Sequence, residues 1–388
     1  MQAAQAARTR MRLVGSTLGE NYCLIHMGQA LNATGHVTAG RQRIDEALAL
    51  AEANFGTDST LKALVGCFKA QHLYLQGQWS EVMPWLKAGQ DTLEHIDGWL
   101  DVFATTAEIS WRIAFRHEGL QGTLALLDGT AQLARRRGLS RLGRVVHAWR
   151  VDLLAQFGLA PQAQQESLAA SLEEFLPITP SAPSALGVDW RFLEAGSIAL
   201  ARLQMASGAS QAAQTRLERA SRVLEDANLK LPSWRLKILA LVARRRAQES
   251  DLSIAEIQAT LHPVLEQGLG GLLLEAGPAI LPLLQQMEGA LPPQAMAMIA
   301  QLRAWQTHPP RRRAQFSAKE QLVLELLVAG QANKAIARAL DISENTVKFH
   351  LKQIFQKLGV DSRAAAIGAA LQSGFAPPQI SLSRSIDD

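Results

Sequence analysis

Apolar residues recur every three or four positions along most of the first 305 residues of this 388-residue chain. The spacing is clear in residues 44–51, 124–134, 217–224 and 236–242. On an α-helix it collects the apolar side chains on one face, which packs against a neighbouring helix. Aromatic residues make up only 5% of the chain and β-branched residues are sparse, which favours helix over strand. We therefore predict an all-α fold.

Short glycine-containing breaks interrupt the helical pattern at Gly35, Gly77, Gly119, Gly158 and Gly208. The gaps between these glycines are 42, 42, 39 and 50 residues. About forty residues is the length of one helix–turn–helix pair with its loops. Residues 1–305 are therefore predicted to form an α-solenoid of helix pairs, which resembles tetratricopeptide repeats in period and size. A non-repetitive helical bundle is the alternative.

Proline-rich segments mark the predicted boundaries. Residues 177–184 contain three prolines and are expected to form a loop. Residues 306–315 combine two prolines with three arginines and are predicted to be a linker. The linker separates a sensor or interaction domain, residues 1–305, from a small domain at 316–375, and residues 376–388 are predicted to be a disordered tail.

The segment 316–375 predicts four short helices. These are a first helix from the capping box of Ser317 and Glu320 to Gly330, a second over 334–340 capped by Asn333, a third over 344–358 capped by Ser343, and a fourth from Asp361 or Ser362 to about Gly374. A tight turn at 341–343, with Ile342 as a buried plug, joins the second and third helices. This arrangement matches the geometry of a helix-turn-helix.

The third helix sorts its residues onto two faces. Val347, Leu351, Ile354 and Leu358 share one face and are expected to be buried, whereas Asn345, Lys348, Phe349, Lys352 and Gln356 lie opposite. Two lysines four residues apart repel each other by a few tenths of a kcal/mol, and an exposed phenyl ring lowers solubility. A DNA groove accounts for both, since lysines contact phosphates or guanine edges and a ring contacts a thymine methyl group.

Charge is concentrated in the same part of the chain. The net charge is +4; residues 311–375 carry +5, the tail carries −1 and the remaining residues are neutral. A localised positive block suits a polyanionic partner, and the neutral remainder needs a partner of another kind.

Three stretches carry a family resemblance: AGQANKAIA at 329–337, ISENTVKFH at 342–350, and KLGV at 357–360 with Ser362-Arg363 after it. With these stretches, residues 316–375 resemble the carboxyl-terminal DNA-binding domain of LuxR-type transcriptional regulators, in which the third helix enters the major groove. The roles that the resemblance implies are base contacts by Lys348, Phe349 and Lys352, phosphate contacts by Lys334, Thr346, Asn333 and Ser343, and a dimer contact around Ile367, Ala370 and Leu371.

A tetratricopeptide-like array followed by a LuxR-type domain resembles the carboxyl-terminal part of the large MalT-like activators, which carry a nucleotide-hydrolysing domain ahead of the repeats. The nearest string to a phosphate-binding loop, residues 35–42, lacks the required lysine and Ser/Thr. We expect a short relative without the ATPase domain.

Other chemistry has little support in the sequence. Cys23 and Cys67, with His26 and His72, are more typical of buried thiols and helix histidines than of a metal site. The sequence shows no catalytic constellation, no secretion signal and no membrane-spanning stretch. We expect a cytoplasmic protein that is not an enzyme and holds no metal or cofactor.

The sequence therefore predicts a DNA-binding transcriptional regulator. The expected partners are double-stranded DNA with a dyad-symmetric operator, a small-molecule or protein effector at the repeats and a second copy of the chain on DNA, with RNA polymerase as a further candidate. The alternative is a protein-interaction scaffold with a vestigial basic domain, because most of the chain is repeat surface.

Overall fold

The structure is a computed structural model that describes residues 2–93, 98–172, 189–247, 252–287, 291, 293–307, 317–358, 362–364 and 366–367. Every regular element in these ranges is helical, so the predicted all-α class is confirmed. The chain divides into two compact units, Met1–Arg311 and Arg312–Asp388. The predicted proline-rich loop at 177–184, residues 308–315 of the predicted linker and the predicted tail at 376–388 lie outside the described residues.

The first unit consists of helices joined by short connections. They are α1 (Gln2–Leu13), α2 (Thr17–Ala33), α3 (Val37–Phe55), α4 (Thr60–Leu75), α5 (Val82–Leu93), α6 (Leu100–His117), α7 (Gly119–Arg136), α8 (Ser140–Gln156), α9 (Ala160–Ala169), α10 (Trp190–Ala206), α11 (Ser210–Asp226), α12 (Lys230–Arg246), α13 (Ile254–Glu266), α14 (Gly270–Ala276), α15 (Leu281–Gln285) and α16 (Pro293–Thr307). Single 3₁₀ turns at Trp79–Glu81 and Pro278–Ile280 precede α5 and α15. Helix α16 continues two residues into the predicted linker.

Four of the five spaced glycines lie in the connections between paired helices, and Gly119 is the first residue of α7. Their φ angles lie between +69° and +85°, a backbone region in which a side chain would be strained. At Gly35 a Cβ atom would also lie 2.8 Å from the ring of Trp234. The helices that flank these glycines pack against each other, α2 on α3 and α4 on α5 for example. The predicted helix pairs are therefore present, and their tetratricopeptide-like character stays a prediction.

The first helices of successive pairs form an inner row. Helix α4 packs on α6, α6 on α8, α8 on α10 and α10 on α12, and α12 also packs on α2. Because Asn32 of α2 also contacts His72 of α4 at 2.9 Å, the row closes on itself within the first unit. As a consequence α6 and α10 are buried on almost every side, and charged residues such as Glu108 and Glu194 lie in the interior.

Helix α14 fills part of the space enclosed by the row. All seven of its residues are buried. A Cβ atom at Gly271 would lie 2.2 Å from the carbonyl oxygen of Tyr74, so only glycine allows this approach to α4. The carbonyl oxygens of Leu274 and Glu275 accept hydrogen bonds from Arg116 (2.9 Å) and Arg202 (2.8 Å). These guanidinium groups satisfy the last carbonyls of α14 and face the negative end of its dipole.

The Glu275 side chain joins α14 to the inner row through buried ion pairs. Its carboxylate lies 2.7 Å from Nε of Arg235 and 3.4 Å from Nη1 of Arg112. Glu108 lies 3.2 Å from both Arg112 and Arg235, and Glu194 lies 2.6 Å from Arg235. Such charges are stable in an interior only while every partner is present.

The tryptophans occupy two kinds of position. Trp111 and Trp149 are buried in the core, with ring centroids 6.4 Å apart. Those at positions 79, 85, 99, 190 and 234 are half-buried, while the side chain of Trp305 lies outside the described part.

The second unit contains α17 (Ala318–Val328), α18 (Asn333–Ala339) and α19 (Glu344–Leu358), followed by helical residues after Ser362. The buried residues of its core are Val323, Leu324, Leu327, Ile336, Ala337, Val347, Leu351, Ile354 and Ala366. Across the described part of both units, no helix has the length and apolarity needed to cross a lipid bilayer.

Candidate nucleic-acid interface

Helix α17 begins and ends as the sequence predicts. The N–H of Glu320 donates to Oγ of Ser317 (3.2 Å), and the N–H of Ser317 donates to the Glu320 carboxylate (2.6 Å). These two bonds form the predicted capping box. Gly330, at φ +79°, follows the end of the helix.

Helix α18 begins one residue before the predicted position. Its N-cap is Ala332, and Asn333 is its first residue, so the prediction that Asn333 caps this helix is wrong. The side-chain oxygen of Asn333 accepts instead from Nη1 of Arg363 at 3.2 Å. A tertiary contact has replaced the local capping bond that asparagine often makes at this position.

The turn between α18 and α19 fixes the direction of α19. Asp341 has φ +51°, and the N–H of Ile342 donates to the carbonyl oxygen of Ala337 at 3.0 Å. Ile342 is half-buried and packs against the core of the unit, as predicted. Oγ of Ser343 accepts from the N–H of Thr346 at 3.1 Å, which confirms Ser343 as the cap of α19.

The two faces of α19 are as predicted wherever its side chains are described. Val347, Leu351 and Ile354 are buried in the core. Lys348 and Lys352 are exposed, and Phe349 is 60% exposed. The side chains of Gln356 and Leu358 lie outside the described part. The inward face therefore anchors the helix and leaves two ammonium groups and one ring directed to solvent.

The two lysines of α19 and Lys334 of α18 are exposed, and they form no ion pair with any described residue. Lys348 and Lys352 stand one helical turn apart, on the same side of α19. Cations that are not neutralised within the chain are available to bind an anionic partner.

The hydroxyl groups near the start of α19 are partly engaged within the chain. Oγ of Ser343 lies 2.8 Å from Oγ1 of Thr346 and also caps the helix. Ser343 is exposed and Thr346 is half-buried. The positive end of the helix dipole lies beside these two hydroxyl groups and favours an anion there.

Arg363 has a structural role that the sequence interpretation missed. Its Nη2 donates to the carbonyl oxygen of Gln331 at 2.5 Å, in addition to its bond with Asn333. It thereby ties the segment after α19 to the connection between α17 and α18. The only signal in the sequence was its place in the Ser362-Arg363 pair, and no spacing rule assigns it this contact.

The residues predicted for a dimer contact are only partly described. Ile367 is half-buried and packs against the core of its own unit. Ala370 and Leu371 lie outside the described residues.

Of the four residues considered for a metal site, Cys67 and His72 are engaged in the core, Cys23 is half-buried and His26 is exposed. Cys67 is buried, and both ring nitrogens of His72 contact protein groups. In the ranges that the structure describes, no three side chains of His, Cys, Asp or Glu are grouped as metal ligands.

The capped helices, the tight turn and the exposed face of α19 together define a helix-turn-helix domain. Residues 314–370 match the family described as bacterial regulatory proteins, luxR family. The carboxyl-terminal segment of this chain is thus a helix-turn-helix domain of the luxR family, as its motifs predicted.

Three relatives illustrate what the chain is similar to. It is 36% identical over 84 residues to the transcriptional regulatory protein YdfI of Bacillus subtilis, which is 22% of this chain and 39% of the relative. It is 41% identical over 69 residues to the nitrate/nitrite response regulator protein NarL of Escherichia coli, 18% of this chain and 32% of the relative. It is 50% identical over 52 residues to the glycerol metabolism activator of Pseudomonas putida, 13% of this chain and 24% of the relative.

The chain therefore spans at most 39% of the length of these relatives. No solved structure matches it.

Proposed function

We propose that this protein is a sequence-specific DNA-binding transcriptional regulator that reads the major groove with α19. The observation that carries the proposal is the exposed group of Lys348, Phe349 and Lys352 on a helix whose opposite face is buried. An α-helix fits the major groove, lysine donates to guanine O6 and N7, and an apolar ring contacts the thymine methyl group. The names of the relatives support regulation of transcription as the purpose of this binding.

Contacts to the DNA backbone would hold α19 in register. Lys334 is exposed beside the start of α18, and Ser343 and Thr346 lie at the positive end of α19. The side-chain NH₂ of Asn333 is a further donor, since only its oxygen is used by Arg363. Such contacts position a protein on the duplex and carry no sequence information of their own.

The helical first unit would control this binding through a small-molecule or protein effector. This proposal is supported by the charged residues in the interior of the unit. Apolar residues would stabilise a purely structural array equally well. On DNA we propose a homodimer on a dyad-symmetric operator, with Ile367, Ala370 and Leu371 at the contact.

The test measures binding of the full-length protein to its operator and to random duplex by fluorescence anisotropy. The operator is first selected from genomic fragments that the wild-type protein retains. We expect the operator to bind at least ~10³-fold more tightly than random DNA. Lys348→Ala and Lys352→Ala should each lose about 1–3 kcal/mol on the operator and much less on random DNA.

Lys319→Ala is the matched control, because Lys319 is exposed on α17 and its loss changes the net charge equally. It should keep the specificity ratio of the wild type. Operator affinity equal to wild type in both α19 variants would contradict the assignment of base contacts. A wild-type protein that binds operator and random DNA alike would favour the scaffold instead.

A further inference from the structure

Arg363 connects two parts of the second unit that lie about thirty residues apart in sequence. It stands in a helical turn in which the N–H of Ala366 donates to the carbonyl oxygen of Ser362 at 2.9 Å. Ala366 is fully buried in the core of the unit. The backbone that carries Arg363 is therefore anchored, and its half-buried side chain reaches back to the start of α18.

The guanidinium group of Arg363 makes two hydrogen bonds at the start of α18. Nη2 donates to the carbonyl oxygen of Gln331 at 2.5 Å, and Nη1 donates to Oδ1 of Asn333 at 3.2 Å. The two acceptors flank Ala332, the N-cap of α18, whose side chain makes no capping bond. Because alanine is a poor cap, the bonds from Arg363 take over the task of holding the backbone where α18 begins.

The same contact determines which way the amide of Asn333 points. A guanidinium group has only donors, so the atom of Asn333 that faces it is the oxygen. The side-chain NH₂ group then points away from Arg363, and no described residue accepts a hydrogen bond from it. The next residue along the chain, Lys334, is exposed. Two donors that suit a phosphate group therefore follow directly on the backbone that Arg363 holds.

The charge of Arg363 also distinguishes it from the buried arginines of the first unit. Arg112, Arg191 and Arg235 each lie against carboxylates. Arg363 bonds two neutral oxygens and pairs with no carboxylate among the described residues. Its positive charge therefore adds to that of Lys334 beside α18, and the two together favour an anionic partner there.

We propose that Arg363 is a positioning residue for DNA binding, which orients the side-chain NH₂ of Asn333 and the ammonium group of Lys334 towards the DNA backbone. It acts through its two bonds to Gln331 and Asn333. The inference rests on the proposed function, because it assigns a role in the same interface. It adds a residue that supports the phosphate contacts from outside α18 and α19.

Arg363→Lys tests the role of the two bonds, because lysine keeps the charge and lacks the planar fork that reaches two acceptors at once. Affinities of the full-length protein for operator and random duplex are measured by fluorescence anisotropy over a series of salt concentrations. We expect both affinities to fall by a similar factor, on the order of tenfold, as for the loss of one charged hydrogen bond. The factors are similar because phosphate contacts carry no sequence information.

The salt dependence gives a second measure of the same variant. The slope of log affinity against log salt should fall in Arg363→Lys by up to about one, as expected when the contact of Lys334 is displaced. Affinities and slope equal to those of the wild type would show that a charge alone suffices at this position, and would overturn the proposal.

A double-mutant cycle tests whether Arg363 acts through Asn333. Asn333→Ala removes the amide that Arg363 holds, so Arg363→Lys should cause a much smaller further loss of affinity in that background. The same factor of loss in both backgrounds would mean that Arg363 acts independently of Asn333, and would also overturn the proposal.

Hydrogen exchange in the full-length protein separates positioning from general stability. The α19 amides should exchange in Arg363→Lys as they do in the wild type, and the affinity ratio of operator to random DNA should be unchanged. Faster exchange across α19 together with a lower ratio would make Arg363 a residue of the fold alone. Arg338→Lys is the matched control, because Arg338 is exposed on α18 and keeps its charge in the variant, and it should bind DNA as the wild type does.

The wild-type measurements separate this inference from the proposed function. A wild-type protein that prefers its operator, with an Arg363→Lys variant that binds equally well, overturns the inference alone. A wild-type protein that binds operator and random DNA alike overturns the sequence-specific regulator. In that case a loss of random-DNA affinity in Arg363→Lys still supports the positioning role.

Discussion

At the scale of single residues, His72 shows how burial controls charge in the first unit. The side chain is 1% exposed and lies between the Phe68 carbonyl oxygen and the Asn32 amide. Burial lowers the pKa of His72 to about 4, more than the bond to Phe68 raises it. The ring is therefore neutral in the folded protein at pH values where it would be charged in the unfolded chain.

This difference predicts a pH-dependent stability. Below the ordinary histidine pKa the unfolded chain binds a proton that the folded chain does not, so stability is lost as the pH falls from about 6.5 towards 4. Between pH 7 and pH 5, His72 should lower the free energy of unfolding by about 2 kcal/mol. Urea unfolding of wild type and His72→Gln, followed by tryptophan fluorescence, checks this, because the variant should lack that part of the pH dependence. Parallel stability profiles for the two proteins would show that His72 titrates normally.

The residues of the DNA interface differ in how far the sequence could predict them. Lys348, Phe349 and Lys352 could be predicted because the helical period alone separates them from the buried face. The contact between Asn333 and Arg363 could not, since it joins positions thirty residues apart. Local rules assigned the Asn333 amide to a cap, whereas a distant guanidinium group uses its oxygen.

At the scale of elements, the turn before α19 depends on a strained residue. Asp341 has φ +51°. This left-handed backbone conformation costs about 1–2 kcal/mol for most residues, nothing for glycine, and less for asparagine or aspartate than for other residues. Asp341→Gly should therefore be neutral or stabilising by up to about 1 kcal/mol, and Asp341→Val should be destabilising by about 1–2 kcal/mol. Hydrogen exchange of the α18 and α19 amides in the full-length protein measures both effects.

Asp341→Asn is the control for the turn, because asparagine also tolerates this conformation. Its exchange rates should match those of the wild type. Faster exchange in Asp341→Gly than in Asp341→Val would contradict a role for backbone strain.

Helix α14 depends on one buried carboxylate. Removal of Glu275 would leave Arg112 and Arg235 buried without one of their partners, and such a loss costs about 3–5 kcal/mol. Glu275→Ala should lower the free energy of unfolding of the first unit by this amount. Glu266→Ala is the matched control, since Glu266 is 62% exposed and pairs with His262 alone among the described residues, and it should cost less than about 1 kcal/mol. Similar midpoints of urea unfolding in the two variants would mean that the buried arginines do not need Glu275 as a partner.

Helix boundaries in both units could be predicted because caps and turn glycines are local signals. The 344–358 helix and the turns at Gly35 and Gly208 are examples. Closure of the inner row could not, because it depends on how small rotations between successive helix pairs add up. Nothing near Trp234 in sequence indicates that its ring will cover Gly35.

At the scale of the whole molecule, charge and function are divided between two compact units. The positive block at 311–375 lies in the second unit except for Arg311, while residues 1–310 are neutral overall. The neutral unit nevertheless carries exposed arginines, such as Arg135 and Arg136 in the last turn of α7. Their position at a helix C-terminus gives them a role in the helix itself, since cations are favourable there.

The salt dependence of operator binding tests this division. Each phosphate contact releases counterions, so Lys334→Ala should reduce the slope of log affinity against log salt by about one. An Arg135→Gln/Arg136→Gln double variant removes twice the charge from the first unit and should leave the slope unchanged. The slopes of both variants and of the wild type are obtained from affinities measured by anisotropy over a series of salt concentrations. If the double variant lowers the slope as much as Lys334→Ala does, the first unit also contacts the DNA backbone, and the division of labour inferred from the charge distribution is wrong.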